Sequence, residues 1–267
     1  MNTFKTNLST ISSKHGKVIL ANDYGHNVKN LEQKTIKNIE NLHDYLCAIK
    51  LNFHLLLPLG TKEIKNITKT AHKYGLQVIA DIKLNDIGNT NIVTIENLWK
   101  LGFDAVIANP IMGLDSLKNL VSNAHKNGKG VITLCHMSAP EAKLTYDMEV
   151  KLAKKQPLYQ LFLKWAIDCK VDGIIVGATF PKIIEYCSKQ AGKKLDIFSP
   201  GVGTQGGDAK KVLSSGTNYL IVGRTILNDK NPSKVAKELQ LDKIGRAHVW
   251  TPVTVPYLVC RLLLEKK

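Results

Sequence analysis

The sequence predicts a (β/α)8 barrel, on three observations. Short β-branched runs alternate with longer amphipathic ones; eight such pairs occur; and the chain has 267 residues, where about 250 suffice for one barrel of this class. The strands expected at 17–22, 47–51, 77–83, 104–109, 130–134, 173–176, 196–199 and 219–222 are short and apolar, as strands buried on both faces of a parallel sheet should be. The first helix is expected at 28–45, with Ile36, Ile39 and Leu42 at helical spacing. The others are expected at 62–74, 91–101, 114–126, 159–169, 181–190, 208–215 and 232–239. A doubly wound open sheet is the alternative, and the lack of Gly-x-Gly-x-x-Gly after the first strand counts against it.

A hydrophobic content of 44% supports a substantial core and excludes disorder as the main state. Residues 17–242 are expected to form a single barrel domain behind a loose N-terminal segment, 1–16. That segment is polar, with no compact apolar run to make a signal peptide. No run of about eighteen apolar residues occurs, so no membrane partner is expected. Cys47, Cys135, Cys169, Cys187 and Cys260 are odd in number, widely spaced and never in a Cys-x-x-Cys pair. This argues against a disulfide framework or zinc site and for a reducing cytoplasm. His54, His125 and His136 lack partners at metal-ligand spacing and read as surface or core histidines, while Trp99 and Trp165 read as core or helix-interface residues.

Lys+Arg of 37 against Asp+Glu of 22 gives a net charge of +15. That points to an anionic partner without choosing among nucleic acid, a membrane surface and a phosphorylated small molecule. The lysines are spread over helical segments (Lys34, Lys37, Lys62, Lys118 and Lys164 among them) rather than interleaved with aromatics in one stripe. A solvated basic surface is therefore the better reading, and no nucleic-acid partner is expected.

In such a barrel the chemistry sits at the C-terminal ends of the strands. Strand one ends in Asp23, strand two carries Lys50, and strand three ends in Asp81 and Lys83, with Asp86, Ile87 and Thr90 just beyond. Positions two apart on a strand share a face, so Asp81 and Lys83 should point together into the barrel mouth. A lone Asp-x-Lys is usually a charged pair capping a strand. Repetition on three neighbouring strands is different, because interior charges are costly unless paired. An alternating Lys/Asp set satisfies pairing and still aims charge at a substrate.

A second cluster follows strands seven and eight. The run Ser-Pro-Gly-Val-Gly-Thr-Gln-Gly-Gly-Asp at 199–208 supplies Pro200, Gly201, Val202, Gly203 and Gln205, and Gly223 and Arg224 follow strand eight. Glycine-rich amides paired with an arginine at these two strand ends make the phosphate site of phosphate-binding barrels, and Arg224 can hold phosphate bidentately. The two clusters describe a substrate with a phosphate at one end and its reacting group near Lys83 and Asp81. No metal and no cofactor are expected, since the strand-two position that could supply a ligand carboxylate is Lys50.

Over about residues 17–241 these motifs resemble the orotidine 5′-monophosphate decarboxylase family, through Asp-x-Lys-x-x-Asp-Ile at 81–87, the 199–208 run and Val-Gly-Arg at 222–224. The resemblance implies cofactor-independent decarboxylation of orotidine 5′-phosphate to UMP, the last step of de novo pyrimidine biosynthesis, by a homodimer. It implies Lys50, Asp81, Lys83 and Asp86 as the catalytic set: Lys83 protonates C6 as carbon dioxide leaves, and Asp81 lies beside the substrate carboxylate. Asp23 and Lys50 bind the ribose and support the charge network. Asp86 and Thr90 reach across the dimer interface into the neighbouring site, and Ile87 joins the substrate-binding set. Ser138, in Met-Ser-Ala-Pro at 137–140, touches the pyrimidine. Gln205 and Arg224 grip the phosphate with the backbone around Gly203 and Gly223 and the stretch Pro200, Gly201 and Val202.

Two departures from the family pattern, Asn109 where some members have histidine and Gly88 for a common proline, leave the charged network untouched. The nearest competitors are magnesium-dependent sugar-phosphate decarboxylases and hexulose-phosphate synthases of the same superfamily, which carry a metal-binding glutamate where this chain has Lys50. A non-catalytic barrel binding phosphate or nucleic acid is the non-enzymatic alternative. A fused phosphoribosyltransferase domain is not expected in the chain as given. The connection after strand five, around Asp147, Glu149 and 151–155, reads as a lid or a solvated loop. Residues 243–267 break the pattern: they resemble a translated sequencing adapter, with Trp250 at a codon that is a stop in the standard code, and are expected to be a non-barrel, non-native tail.

Overall fold

A computed structural model of the protein describes residues 3–25, 28–152 and 155–244. Eight parallel strands close into a barrel: β1 (Val18–Ala21), β2 (Ala48–Asn52), β3 (Gln77–Leu84), β4 (Ala105–Ala108), β5 (Gly130–His136), β8 (Gly173–Val176), β9 (Asp196–Pro200) and β10 (Tyr219–Val222). Pairing of Val18 with Leu220 and Ile19 with Ile221 joins first strand to last, which removes the open-sheet alternative. The intervening helices are α2 (Leu31–Leu42), α4 (Thr61–Lys73), α5 (Gly88–Lys100), α6 (Leu114–Lys126), α8 (Leu158–Asp168), α9 (Pro181–Ala191), α10 (Ala209–Ser214) and α12 (Pro232–Ile244). Short helices α3 (Phe53–Leu56), α7 (Ala142–Thr145) and α11 (Arg224–Leu227) follow β2, β5 and β10.

The period-two alternation of each strand sorts its side chains into two cores. Ile19, Ala48, Ile79, Ile107, Ile132, Ile175, Phe198 and Ile221 belong to the barrel interior. Val18, Leu20, Ile49, Val78, Val106, Val131, Ile174 and Val222 face outward onto the helices, together with the half-buried Trp99 and Trp165. This parity positions the site. The next inward positions beyond Ala21, Ala48 and Ile79 are Asp23, Lys50 and Asp81, so the row that fills the barrel with methyl groups ends in charge at its mouth.

Two expectations need correction. The segment 1–16 is not loose: helix α1 (Phe4–His15) occupies most of it, with Thr3 as N-cap accepting from the Thr6 amide. Phe4 and Leu8, one turn apart, are each 1% exposed and join the barrel-interior cluster, with Ile11 packed beside them. The Phe4 ring fills the space a side chain at Gly130 would need. The apolar stripe is only three residues wide, which is why a largely polar segment conceals it. Second, the connection after β5 is not a plain loop, because β6 (Glu149–Lys151) and β7 (Lys155–Pro157) pair as an antiparallel hairpin, with a Lys155–Glu149 ion pair. Helix α12 also runs past the expected end at 239 to Ile244, and the tail from 245 onward lies outside the described residues.

One arrangement recurs at the bottom of the barrel. Asp104, before β4, accepts from the Val78 amide and pairs with His72 of α4 at 2.8 Å. Asp172, before β8, accepts from the Val131 amide and pairs with His125 of α6 at 3.0 Å. The Asp172 hydrogen bond raises the His125 pKa against the opposing effect of burial. A raised histidine contributes stability that is complete below its unfolded value near 6.5 and is lost as pH rises through the folded value. His125→Gln should therefore lower Tm at about pH 6 more than at about pH 8; an equal loss at both would contradict this linkage.

Candidate active site

The charged residues expected at the strand ends form one chain of contacts. Lys50 Nζ lies 2.7 Å from Asp81 Oδ2 and 3.2 Å from Asp23 Oδ1, and Lys83 Nζ lies 2.8 Å from Asp81 Oδ1. The order across the mouth is Asp23, Lys50, Asp81, Lys83, with signs alternating. The Lys50 side chain is 6% exposed and that of Lys83 46%, so the inner ammonium is structural in its setting and the outer one faces the cavity. Burial pulls the Lys50 pKa down, but Asp81 and Asp23 outweigh it and leave it above the ordinary lysine value. Burial likewise pushes Asp81 up, and Lys50 and then Lys83 bring it below the usual carboxylate range. Both groups therefore stay ionised near neutrality.

Lys83 owes its place to an irregularity that strand alternation does not foresee. Between Asp81 and Leu84 the register of β3 against β4 shifts, and Lys83 has φ of +46°, in the left-handed region. A non-glycine residue there costs about 1 kcal/mol or more and persists only where its surroundings enforce it. The bulge folds the lysine back so that its ammonium meets the Asp81 carboxylate two residues earlier.

Across the mouth lies the glycine-rich segment after β9. A side chain at Gly201 would be strained, because φ is +93° and a Cβ would lie 3.0 Å from Ser138 Cβ. The segment ends where Asp208 caps α10 by accepting from the Lys211 amide. Arg224 opens α11, and among the described residues no carboxylate lies within ion-pair distance of its guanidinium, which leaves it available to an anion. Thr225, absent from the residues the sequence singles out, ties the segments after β9 and β10 together: its Oγ1 donates to Val202 O and accepts from the Thr204 amide. Its one sequence signal is its place beside Arg224.

A cavity of about 740 Å3 joins the two clusters. It is lined by Asp23, Lys50, Asp81, Lys83, Ser138, Pro200, Gly201, Val202, Gln205, Gly223 and Arg224, and also by Tyr24, Asn52, His54 and Thr225, which sequence reasoning missed. Behind Asp23, the buried Asn22 side chain donates to Thr35 and accepts from Asn38 on α2, anchoring the strand-one exit. Gly203 stands behind the lining, with its amide bonded to Gly207 O. Asp86, Ile87 and Thr90 do not line this cavity: Asp86 accepts from the Ile87 amide, and all three are exposed. Within one chain Lys83 makes its ion pair with Asp81 and none with Asp86. Among the described residues no group of three or more His, Cys, Asp or Glu side chains could hold a metal.

Fold and site together define a (β/α)8 barrel with a charged Lys/Asp network on one side of its mouth and a glycine-rich segment and an arginine on the other. The chain belongs to the orotidine 5′-phosphate decarboxylase / HUMPS family, whose sequence profile matches residues 16–239. The orotidine 5′-phosphate decarboxylase of Methanosarcina mazei is 34% identical over 218 residues, covering 80% of this chain and 93% of its own length. That of Pyrococcus abyssi is 34% identical over 208 residues, covering 78% and 92%. Among solved structures, the Methanocaldococcus jannaschii orotidine 5′-monophosphate decarboxylase complexed with the inhibitor BMP superposes with a TM-score of 0.72 at 32% identity, covering 85% of this chain and 97% of that one.

Proposed function

We propose that the chain decarboxylates orotidine 5′-phosphate to UMP without a cofactor. The observation that carries this is the Asp23–Lys50–Asp81–Lys83 chain, which ends on a half-exposed ammonium in a cavity whose far side can grip phosphate. The bond from C6 to the carboxylate breaks and its electron pair stays on C6, where no adjacent group delocalises it. The Lys83 ammonium stabilises that charge and then transfers a proton to C6. Lys83 is left as an amine that regains a proton from water. Arg224, Gln205 and the glycine-rich amides hold the phosphate, so binding energy gained far from C6 positions the reacting carbon.

An ultraviolet assay of orotidine 5′-phosphate loss with EDTA present tests the assignment. Turnover is expected; turnover of a sugar phosphate only with magnesium would instead support the synthase branch of the family. A homodimer is part of the same reading. Its support is the exposure of five large apolar side chains, Phe53, Leu57, Ile87, Val93 and Ile111, on segments that follow β2, β3 and β4. In the dimer, Asp86 and Thr90 reach the neighbouring cavity. Mixing Lys83→Ala with Asp86→Ala subunits should then restore about a quarter of the activity per mixed population; no recovery would count against shared sites.

A reducing cytoplasm is the compartment we propose, supported by the burial of Cys47, Cys135, Cys169 and Cys187. We also propose that residues from 243 onward serve no part of the barrel's function. Proteolytic trimming to about residue 241 should leave turnover intact.

A further inference from the structure

His136 is the last residue of β5, directly before Met137 and Ser138, which line the cavity. Its side chain is fully buried, at 0% exposure, yet the chemistry above makes no use of it. The ring is boxed by Phe180 with centroids 4.3 Å apart, by Tyr146 at 5.5 Å and by Tyr159 at 6.0 Å. Both ring nitrogens face oxygen. Nδ1 lies 3.0 Å from Met137 O, and Nε2 lies 3.3 Å from Asp147 Oδ1, an ion-pair contact short of hydrogen-bond alignment.

Asp147 is itself held in place. The carbonyls of its two neighbours, Tyr146 and Met148, accept from the amides of Tyr159 and Leu158 at the start of α8. The Met137–Ser138 corner is fixed from the other side: Gly177 donates to His136 O, Thr179 donates to Ser138 O, and the backbone of Ser138 lies where a Gly177 side chain would be. His136 is thus the strut between a rigid carboxylate in front of the hairpin and the strand end that meets the substrate.

We propose that His136 and Asp147 form a positioning couple that sets the Met137–Ser138 corner against the substrate's base, and that this couple is tightest when the imidazole is protonated. The proposal rests on the decarboxylase reading, since Ser138 is the base contact there. Its physical basis is the count of donors. A neutral imidazole has one N–H and can satisfy only one of the two facing oxygens; the imidazolium satisfies both. Burial opposes the charged form and lowers the His136 pKa, while Met137 O and Asp147 pull it back up. The other titratable neighbours are Tyr146, Tyr159, Cys135 and Cys187. Burial raises Tyr146 to about 12 and raises Tyr159 as well, and Cys135 stands well above its ordinary value through its contact with Cys187 and burial.

Asp147→Asn is the cleaner variant, because the carboxylate side chain is 38% exposed. His136→Asn keeps a donor near the Nδ1 position and loses the Asp147 arm. At about pH 5.5 both should raise KM for orotidine 5′-phosphate, and weaken UMP binding in calorimetry, by about five- to tenfold, with kcat changed less than about twofold. The wild-type-to-variant ratio of kcat/KM, in which ionisation of the substrate phosphate cancels, should be largest near about pH 5.5 and shrink towards about pH 8. If His136→Asn does not fold, Asp147→Asn decides alone. Unchanged KM and UMP affinity, or a ratio flat in pH, would overturn the couple while wild-type turnover leaves the decarboxylase reading standing. A wild-type protein that neither turns over the substrate nor binds UMP would overturn both, through the reading on which the couple rests.

Discussion

Replacing Lys83 by alanine is expected to lower kcat by about 10^5-fold or more. A general acid contributes about 10^2 to 10^4 and an electrostatic group fixed at the developing charge about 10^2 to 10^3, and here one ammonium serves both purposes. Nothing beside it substitutes. The Lys50 ammonium is held between Asp81 and Asp23 and is 6% exposed, so it cannot swing to C6 without abandoning two carboxylates. The fold should survive, because the Lys83 side chain is half exposed and Asp81 keeps its Lys50 partner. The backbone supplies a second, independent check. At φ of +46° alanine retains the left-handed penalty and glycine does not. Lys83→Gly should therefore be as inactive as Lys83→Ala but more stable by about 1 kcal/mol in denaturant unfolding. Equal stability of the two would mean that the bulge is not strained; residual turnover above about 1% in either would remove Lys83 from the protonation step.

Lys50→Met is expected to have the largest effect on stability, a loss of about 3–5 kcal/mol at neutral pH, because it strands buried carboxylates opposite an apolar side chain. The loss should depend on pH in a direction fixed by Asp81. In the wild-type protein the Asp81 pKa is lowered, so its contribution is present above the unfolded carboxylate value, about 3.9, and lost as pH falls through the folded value. Without Lys50 the larger of its two attractive partners is gone while the effect of burial remains, so the carboxyl takes up a proton more readily. The gap in Tm between wild type and variant should then narrow from about pH 7 to about pH 4. A gap independent of pH would show that Lys50 stabilises the barrel by packing alone.

Much of the barrel could be read from the sequence because its strands are buried on both faces. Runs such as Val-Ile-Leu-Ala at β1 and Ala-Val-Ile-Ala at β4 leave little choice of secondary structure, and their spacing leaves room for one helix each. The charged site was legible for the same reason: Asp23, Lys50 and Asp81 continue the inward parity of apolar neighbours, and charge in such a row is conspicuous. What escaped has other causes. Helix α1 buries a stripe set by tertiary contact with the barrel floor, against weak local periodicity. The turn of Lys83 depends on a bulge, which no residue type announces. Thr225 and the His136–Asp147 couple work through partners more than ten residues away, so their roles appear only when the strand ends meet. Asp86, Ile87 and Thr90, expected in the site, lie outside the cavity of a single chain.

The floor helix also sets an order of events during synthesis. Phe4 bonds Gly128 through its amide and packs on Gly130, while Lys5 reaches Lys194 O and Asp196 beside β9. Helix α1 precedes every strand of the barrel in synthesis and therefore has no complete docking surface until β9 has followed it. Until then its apolar stripe stays in solvent, and removing it should slow the last phase of refolding rather than the first.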